Sequence, residues 1–203
     1  AVIRDAIAAV ARNTGRVIDY ATWDPLTDPA TNDLIRRGET MGCFYVESPA
    51  PRLILKKLWA GMPPERRAVA DVFEYLVVVS SIIRPAANVY ADEFVRRAHG
   101  YRHRPLHPLL DQVLAETHGI MVYQEDVINV AVALGGFSVE DGDQLRKVLS
   151  KKHKARQLRD YQRQFYEGAW ARGVQCSVID AIWAMIMSFA GYSFCKPHSA
   201  SYA

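Results

Sequence analysis

Residues Gly135 to Lys154 read Gly-Gly-Phe-Ser-Val-Glu-Asp-Gly-Asp-Gln-Leu-Arg-Lys-Val-Leu-Ser-Lys-Lys-His-Lys, and the rest of the chain is arranged around them. The glycine pair ends one helix, and Ser138 with Asp141 three residues later opens the next as a capping pair. At about 100° per residue, Leu145, Val148 and Leu149 fall on one side of that second helix. Arg146, Lys147, Lys151 and Lys154 spread over the other. One face packs and the other presents cations.

Cations crowded on a short helix repel one another unless something anionic faces them, and polyphosphate or a nucleic-acid backbone is the commonest such partner. A solvated surface helix is the alternative, and the residues alone leave both open. Asp141-Gly142-Asp143 has the D-x-D form of a metal pair. Its place at a helix start instead assigns the carboxylates to free amides and the helix dipole.

Half of the 203 residues are hydrophobic and 23% are charged, which describes a folded chain with a substantial core and excludes a disordered one. A net charge of +3 permits an anionic partner without demanding it. Cys43, Cys176 and Cys195 are odd in number, widely spaced and free of C-x-x-C pairing, which points to a reducing, cytoplasmic setting. The apolar runs near Tyr75 to Ile83 and Val127 to Leu134 are too short to span a bilayer, so no membrane partner is expected. Both ends read as cut, the first inside an apolar-periodic helix.

Working outward, Ala1 to Val17 carries Val2, Ile3, Ile7, Val10 and Ala11 at helical spacing and ends at Asn13-Thr14-Gly15. Asp28-Pro29 pairs an N-cap with a first-turn proline for a helix to Arg37, which Gly38 stops. Pro49 to Pro51 mark a break before a helix over Arg52 to Trp59, with Leu53, Leu55 and Leu58 inward. Pro63-Pro64 starts another that runs through Phe73, Leu76 and Val79 toward Ile83, although its β-branched end has strand propensity. Tyr90 to Ala98 and Pro108 to Thr117 are further helices. Between them, His99, His103 and His107 recur every fourth residue, but Gly100, Pro105 and Pro108 break the helix that would align them, leaving a polar loop. Met121 to Leu134 is the most apolar helix, with Tyr123, Gln124 and Glu125 at its polar start. Arg156, Arg159 and Arg163 share a face of the next helix, either a nucleic-acid track or plain surface. Ser177 caps the last long one, whose stripe is Ile179, Ile182, Trp183, Ile186 and Met187.

The organising stretch resembles the glycine-glycine, aspartate, leucine-arginine-arginine and lysine-run segment of bacterial C-family DNA polymerases, the replicative polymerase III alpha subunits. Gly42-Cys43-Phe44-Tyr45-Val46-Glu47-Ser48 resembles that family's G-V-F-Q-L-E-S, and Arg84-Pro85 its R-P-G-P. His118 to Glu125 is similar to Y-G-V-I-V-Y-Q-E-Q, and Phe189 to Ala200 to F-A-G-Y-G-F-N-K-S-H-A-A. The motifs follow one another in family order from Asp33 onward.

The resemblance implies a mostly α-helical piece with little or no β-sheet. Residues 1–40 would be the end of the palm and a connection, and residues 41–203 part of the fingers. The parent would be a DNA-directed DNA polymerase, a nucleotidyltransferase working in replication or repair synthesis. Its magnesium would be held by palm aspartates outside this chain, so the piece alone would be inactive. Its partners would be primer-template DNA, deoxynucleoside triphosphates and other replisome subunits. Arg146, Lys147, Tyr192 and His198 would meet the nucleotide; Lys151, Lys152, Lys154 and Lys196 would meet DNA. Lysine at Lys147, cysteine at Cys195, tyrosine at Tyr45, proline at Pro197 and Ala86-Ala87 depart from the pattern, as in a divergent or error-prone paralogue. A non-catalytic nucleic-acid-binding helical module is the alternative.

Overall fold

The computed structural model describes residues 2–19, 21–22, 24–83, 88–149, 154–188 and 194–203. In chain order its α-helices are α1 (Val2–Thr14), α2 (Pro29–Arg36), α3 (Pro49–Ala60), α4 (Pro64–Val69), α5 (Val72–Ile82), α6 (Asn88–Ala98), α7 (Pro108–Val113), α8 (Gln124–Gly135), α9 (Val139–Leu149), α10 (Ala155–Ala171), α11 (Cys176–Ser188) and α12 (Lys196–Tyr202). Among the described residues there is no strand, only an isolated parallel bridge between Tyr123 and Phe194.

Proline and aspartate at helix starts account for much of this segmentation. Asp28 accepts from Thr31 N at 2.7 Å to open α2, and Pro49 to Pro51 form the first turn of α3, where a missing amide costs nothing, so they begin that helix instead of breaking the chain. The single helix expected from Pro64 to Ile83 is two. The chain leaves helical geometry at Ala70-Asp71, and Asp71 accepts from Phe73 N at 2.8 Å to restart it. The β-branched run Val77 to Val79 stays helical because it is buried throughout, where packing outweighs intrinsic propensity.

Two hydrophobic clusters form. One gathers Leu55, Leu58 and Trp59 of α3, Leu76 and Val79 of α5 and Phe94 of α6 with Val122 and Tyr123. The other gathers Leu134 of α8, Leu145 of α9, Phe165 of α10 and Ile179, Ile182 and Trp183 of α11 with Leu114. The segment Ile120 to Val127 passes from the first cluster to the second. Met121 to Tyr123 is therefore extended, and α8 starts only at Gln124. Other boundaries also move. Gln175 precedes α11 and its carbonyl accepts from Val178 N and Ile179 N, so Ser177 sits inside the first turn. Leu53 faces solvent at 53% exposure, and Val2 and Ile3 of α1 stay exposed at 82% and 59%, so those apolar positions contribute to neither cluster.

Where helices cross most closely, side chains are absent. A Cβ on Gly168 of α10 would lie 1.8 Å from the Gly135 carbonyl oxygen that ends α8. Gly38 has φ +65°, and a Cβ there would lie 2.4 Å from the Arg52 carbonyl oxygen of α3. Both obstacles are backbone, which cannot swing aside. Gly168→Ala should destabilise the fold by roughly 3 kcal/mol, the upper part of the range for overpacking. Urea unfolding measures this, and an unchanged midpoint in the variant would show that α8 and α10 do not approach so closely.

Candidate nucleic-acid interface

The cations of α9 are set in place from below and from the side. Gly136 takes φ +68° and closes α8; Ser138 Oγ then accepts from Asp141 N at 3.0 Å and donates to the Asp141 carboxylate at 2.9 Å. Leu145 is buried in the second cluster and Val148 is buried beside it on α9, which turns Arg146 and Lys147 outward. The two share one carboxylate. Asp143 Oδ1 receives Arg146 Nε at 3.0 Å and Nη2 at 2.8 Å, and Asp143 Oδ2 lies 2.7 Å from Lys147 Nζ. Hydrogen bonds from Lys147 and Arg146 hold the Asp143 carboxyl below its ordinary range. Arg146 Nη1 donates to Gln124 Oε1 at 2.6 Å, tying α9 to the start of α8.

This changes the electrostatic argument for the helix. The anion that relieves repulsion between Arg146 and Lys147 is Asp143, on their own helix, and the three groups together carry +1. Asp143 thus serves the two cations instead of the helix start, and Asp141 is taken by Ser138. The magnesium implied by the resemblance has no fitting donor set here: no group of three His, Cys, Asp or Glu side chains converges among the described residues. The three histidines go to separate partners. His99 Nε2 meets the Leu58 carbonyl at 2.8 Å, His103 meets Asp111 at 3.2 Å, and His107 Nδ1 accepts from Leu109 N at 3.2 Å.

The C-terminal tail reaches the same place from another direction. Gln124 N donates to the Phe194 carbonyl at 3.0 Å, and Lys196 N donates to Glu125 Oε2 at 3.1 Å. Gln124 and Glu125 therefore stand between Arg146 and Lys196. The Lys196 ammonium binds the Glu116 carboxylate, lies 3.7 Å from Glu74 and sits 5.7 Å from the centre of the Tyr123 ring. Burial works against its charge, but Glu116 and Glu74 outweigh that and hold it above the usual lysine range. His198 is exposed, edge-on to Phe194 at 6.4 Å.

Lys154 is half-buried at the residue before α10. Lys151, Lys152 and Tyr192 lie outside the described residues, as do Arg84-Pro85 and Ala86-Ala87. Arg156, Arg159 and Arg163 are all exposed on α10, with Arg163 3.6 Å from Asp160.

Sequence reasoning missed an aromatic surface. Tyr45, in left-handed backbone at φ +72°, stacks on Tyr202 with ring centres 4.8 Å apart, and Phe44 and Phe194 flank the pair. No local spacing announces it, since its members come from opposite ends of the chain. The Asp143 clamp, in contrast, was legible: a carboxylate three and four residues before two cations is the standard helical ion-pair spacing.

Beneath all of this lies Asp126, also missed. Its Oδ2 accepts from Val122 N at 2.7 Å and Tyr123 N at 2.8 Å and so closes the turn into α8. Burial pushes its carboxyl up to about 6, against the pull of the two amides, with Glu116 and Glu125 adding to the rise.

A family model described as the bacterial DNA polymerase III alpha subunit finger domain matches residues 1–173. The chain is 33% identical to the DNA polymerase III subunit alpha of Chlamydia pneumoniae over 201 residues, 98% of this chain and 15% of the relative. It is 35% identical to the DNA polymerase III subunit alpha of Mycobacterium leprae over 211 residues, 99% of this chain and 17% of the relative. An error-prone DNA polymerase of Symbiobacterium thermophilum is 35% identical over 204 residues, again 99% of this chain and 17% of the relative. The chain thus spans about a sixth of the length of these relatives, and the error-prone and alpha-subunit kinds stand at the same distance.

The Asp126 turn has a pH signature. The folded carboxyl keeps its proton up to about pH 6, whereas an unfolded aspartate loses it near 3.9. The native state then binds more protons between those values, so this group's contribution to stability falls as pH rises through about 4 to 6, by on the order of 3 kcal/mol. Asp126→Asn retains an oxygen for both amides and removes the titration. Urea midpoints measured from pH 4 to 7 should fall more steeply for the wild type than for the variant; parallel curves would mean Asp126 ionises normally.

Proposed function

Because the chain belongs to the finger-domain family of bacterial DNA polymerase III alpha subunits, we propose that it is the fingers portion of a template-directed DNA polymerase, with residues 1–40 as its connection to the palm. The observation that carries this reading is the fixed cation pair of α9. Asp143 and Gln124 use three of the five N–H groups of Arg146, and the planar guanidinium keeps two more at known angles for an outside acceptor. Lys147 stands beside it as a compact charge. A deoxynucleoside triphosphate supplies the matching ligand: adjacent phosphate oxygens, several negative charges and no need for base readout.

In primer extension, the primer hydroxyl attacks the innermost phosphorus and pyrophosphate departs, so negative charge grows on the departing oxygens. Cations already held in place stabilise that charge without reorganising at the moment of reaction. Arg146 and Lys147 take this part, with Tyr192 and His198 beside the nucleotide. Lys151, Lys152 and Lys154 meet the DNA backbone. Lys196 contributes differently from the other lysines. Its ammonium is satisfied by Glu116 and Glu74, so it positions the tail on α8 unless those acids release it. The exposed α1 stripe of Val2 and Ile3 supports a connecting role for the first 40 residues. Among the described residues no helix is long and apolar enough to cross a membrane; in this reading the parent is a cytoplasmic replication enzyme acting with other replisome subunits.

Titration calorimetry with dATP should show the Arg146→Ala, Lys147→Ala double variant losing at least tenfold in affinity, about 1.4 kcal/mol, while its thermal unfolding stays near that of the wild type. Equal affinity in the two proteins would remove the triphosphate from α9. Fluorescence anisotropy with a labelled primer-template provides the second arm: Lys151→Ala, Lys152→Ala, Lys154→Ala should flatten the log-log salt slope by about 0.9 for each phosphate no longer neutralised. A wild type that binds DNA but no dATP would fit the non-catalytic binding module.

A further inference from the structure

A second cationic site lies on the opposite cluster from α9, where α2, α3 and α4 meet. A cavity of about 290 Å³ there is lined by Arg36, Arg37, Glu39, Lys56, Trp59 and Arg67. Its lining carries four cations and one carboxylate, and Asp33, paired with Arg37, brings the local charge to +2. The acids of the neighbourhood do not neutralise it: Arg37 takes both Asp33 and Glu39, and among the described residues no ion pair reaches Arg36, Lys56 or Arg67. That is unlike α9, where Asp143 serves both cations.

Two residues of this lining carry buried donors. Arg36 Nε and Trp59 Nε1 are out of contact with solvent, and neither has a hydrogen-bond partner among the described residues. Buried donors are normally matched. The Arg36 guanidinium lies over the Trp59 ring at 5.2 Å, while the ring itself is 1% exposed and meets Tyr75 edge-on. The aromatic face is thus already covered, so the site offers N–H donors and positive charge but no surface on which a base can stack.

We propose that this cavity binds a phosphate group, with Arg36 over Trp59 forming its floor and Lys56 and Arg67 closing over it from the exposed rim. Its oxygens accept from several donors at once and its charge meets the uncompensated +2, which a neutral ligand would not do. The phosphate comes either from a nucleic-acid strand or from a free polyphosphate. In both cases it is read without sequence, because no base contact is available. The site does not depend on the α9 reading, since it shares no residue with it.

The test uses the ¹⁵N-labelled 203-residue chain and two-dimensional NMR, following the Trp59 indole N–H and the Arg36 Nε–H, with the indole peak assigned by its loss in Trp59→Phe. Titration with pyrophosphate should move both signals saturably. Lys56→Ala, Arg67→Ala removes two exposed side chains and should weaken that binding at least tenfold, whereas Arg146→Ala, Lys147→Ala should leave it intact. A thymidine oligonucleotide separates the sources. If the same signals saturate at lower oligonucleotide than pyrophosphate concentration, with a salt slope flatter by about 1.4 in the rim variant, the ligand is a strand. If pyrophosphate moves them and the oligonucleotide does not, it is a free polyphosphate. Signals unmoved by either ligand, or moved equally in the rim variant, overturn the site.

Discussion

The turn into α8 is the constraint on which the rest depends. Asp126 accepts two backbone amides, Val122 N and Tyr123 N, in a place where its own charge is disfavoured by burial. That bond sets where the extended segment ends and the helix begins. It also decides what the next two side chains do: Gln124 faces Arg146 of α9, and Glu125 faces the backbone of Lys196 in the tail. Three segments separated by 22 and 71 positions are brought together at one helical turn.

Charge in this fold follows two regimes. In the first, cations are paired with acids of the same chain, Arg146 and Lys147 with Asp143, and Lys196 with Glu116 and Glu74. Such pairs are oriented in advance, and the partly exposed ones add little to stability; their use is positional. In the second regime, at α2 and α3, the acids available are taken by Arg37 and the neighbouring cations are left to outside ligands. The formal charge of +3 for the whole chain therefore understates how differently its basic residues are disposed to meet an anion.

Burial explains which expectations moved. The prolines at Pro49 to Pro51 begin a helix because a first-turn residue needs no amide, and the split at Ala70-Asp71 follows from a side chain that can cap. Leu53, Val2 and Ile3 kept their helical periodicity but not their burial. Periodicity reports one helix at a time, and whether a stripe meets a neighbour is a property of the assembly.

What the sequence determined by itself is the local order: helices where apolar spacing, caps and prolines agree, the α9 cations on the side opposite its apolar residues, and the ordered motifs that mark the family. These depend on residues within a turn or two of one another, and short-range geometry is set by the backbone. Only the tertiary structure decided that Gln124 holds Arg146, that Lys196 is enclosed by Glu74 and Glu116, that Tyr45 stacks on Tyr202, and that Arg36 covers Trp59 beside a cationic cavity. Each of these joins distant parts of the chain through helix packing, and the burial that packing creates is what pushes Asp126 up and leaves two donors of the α2–α3 cavity without partners among the described residues.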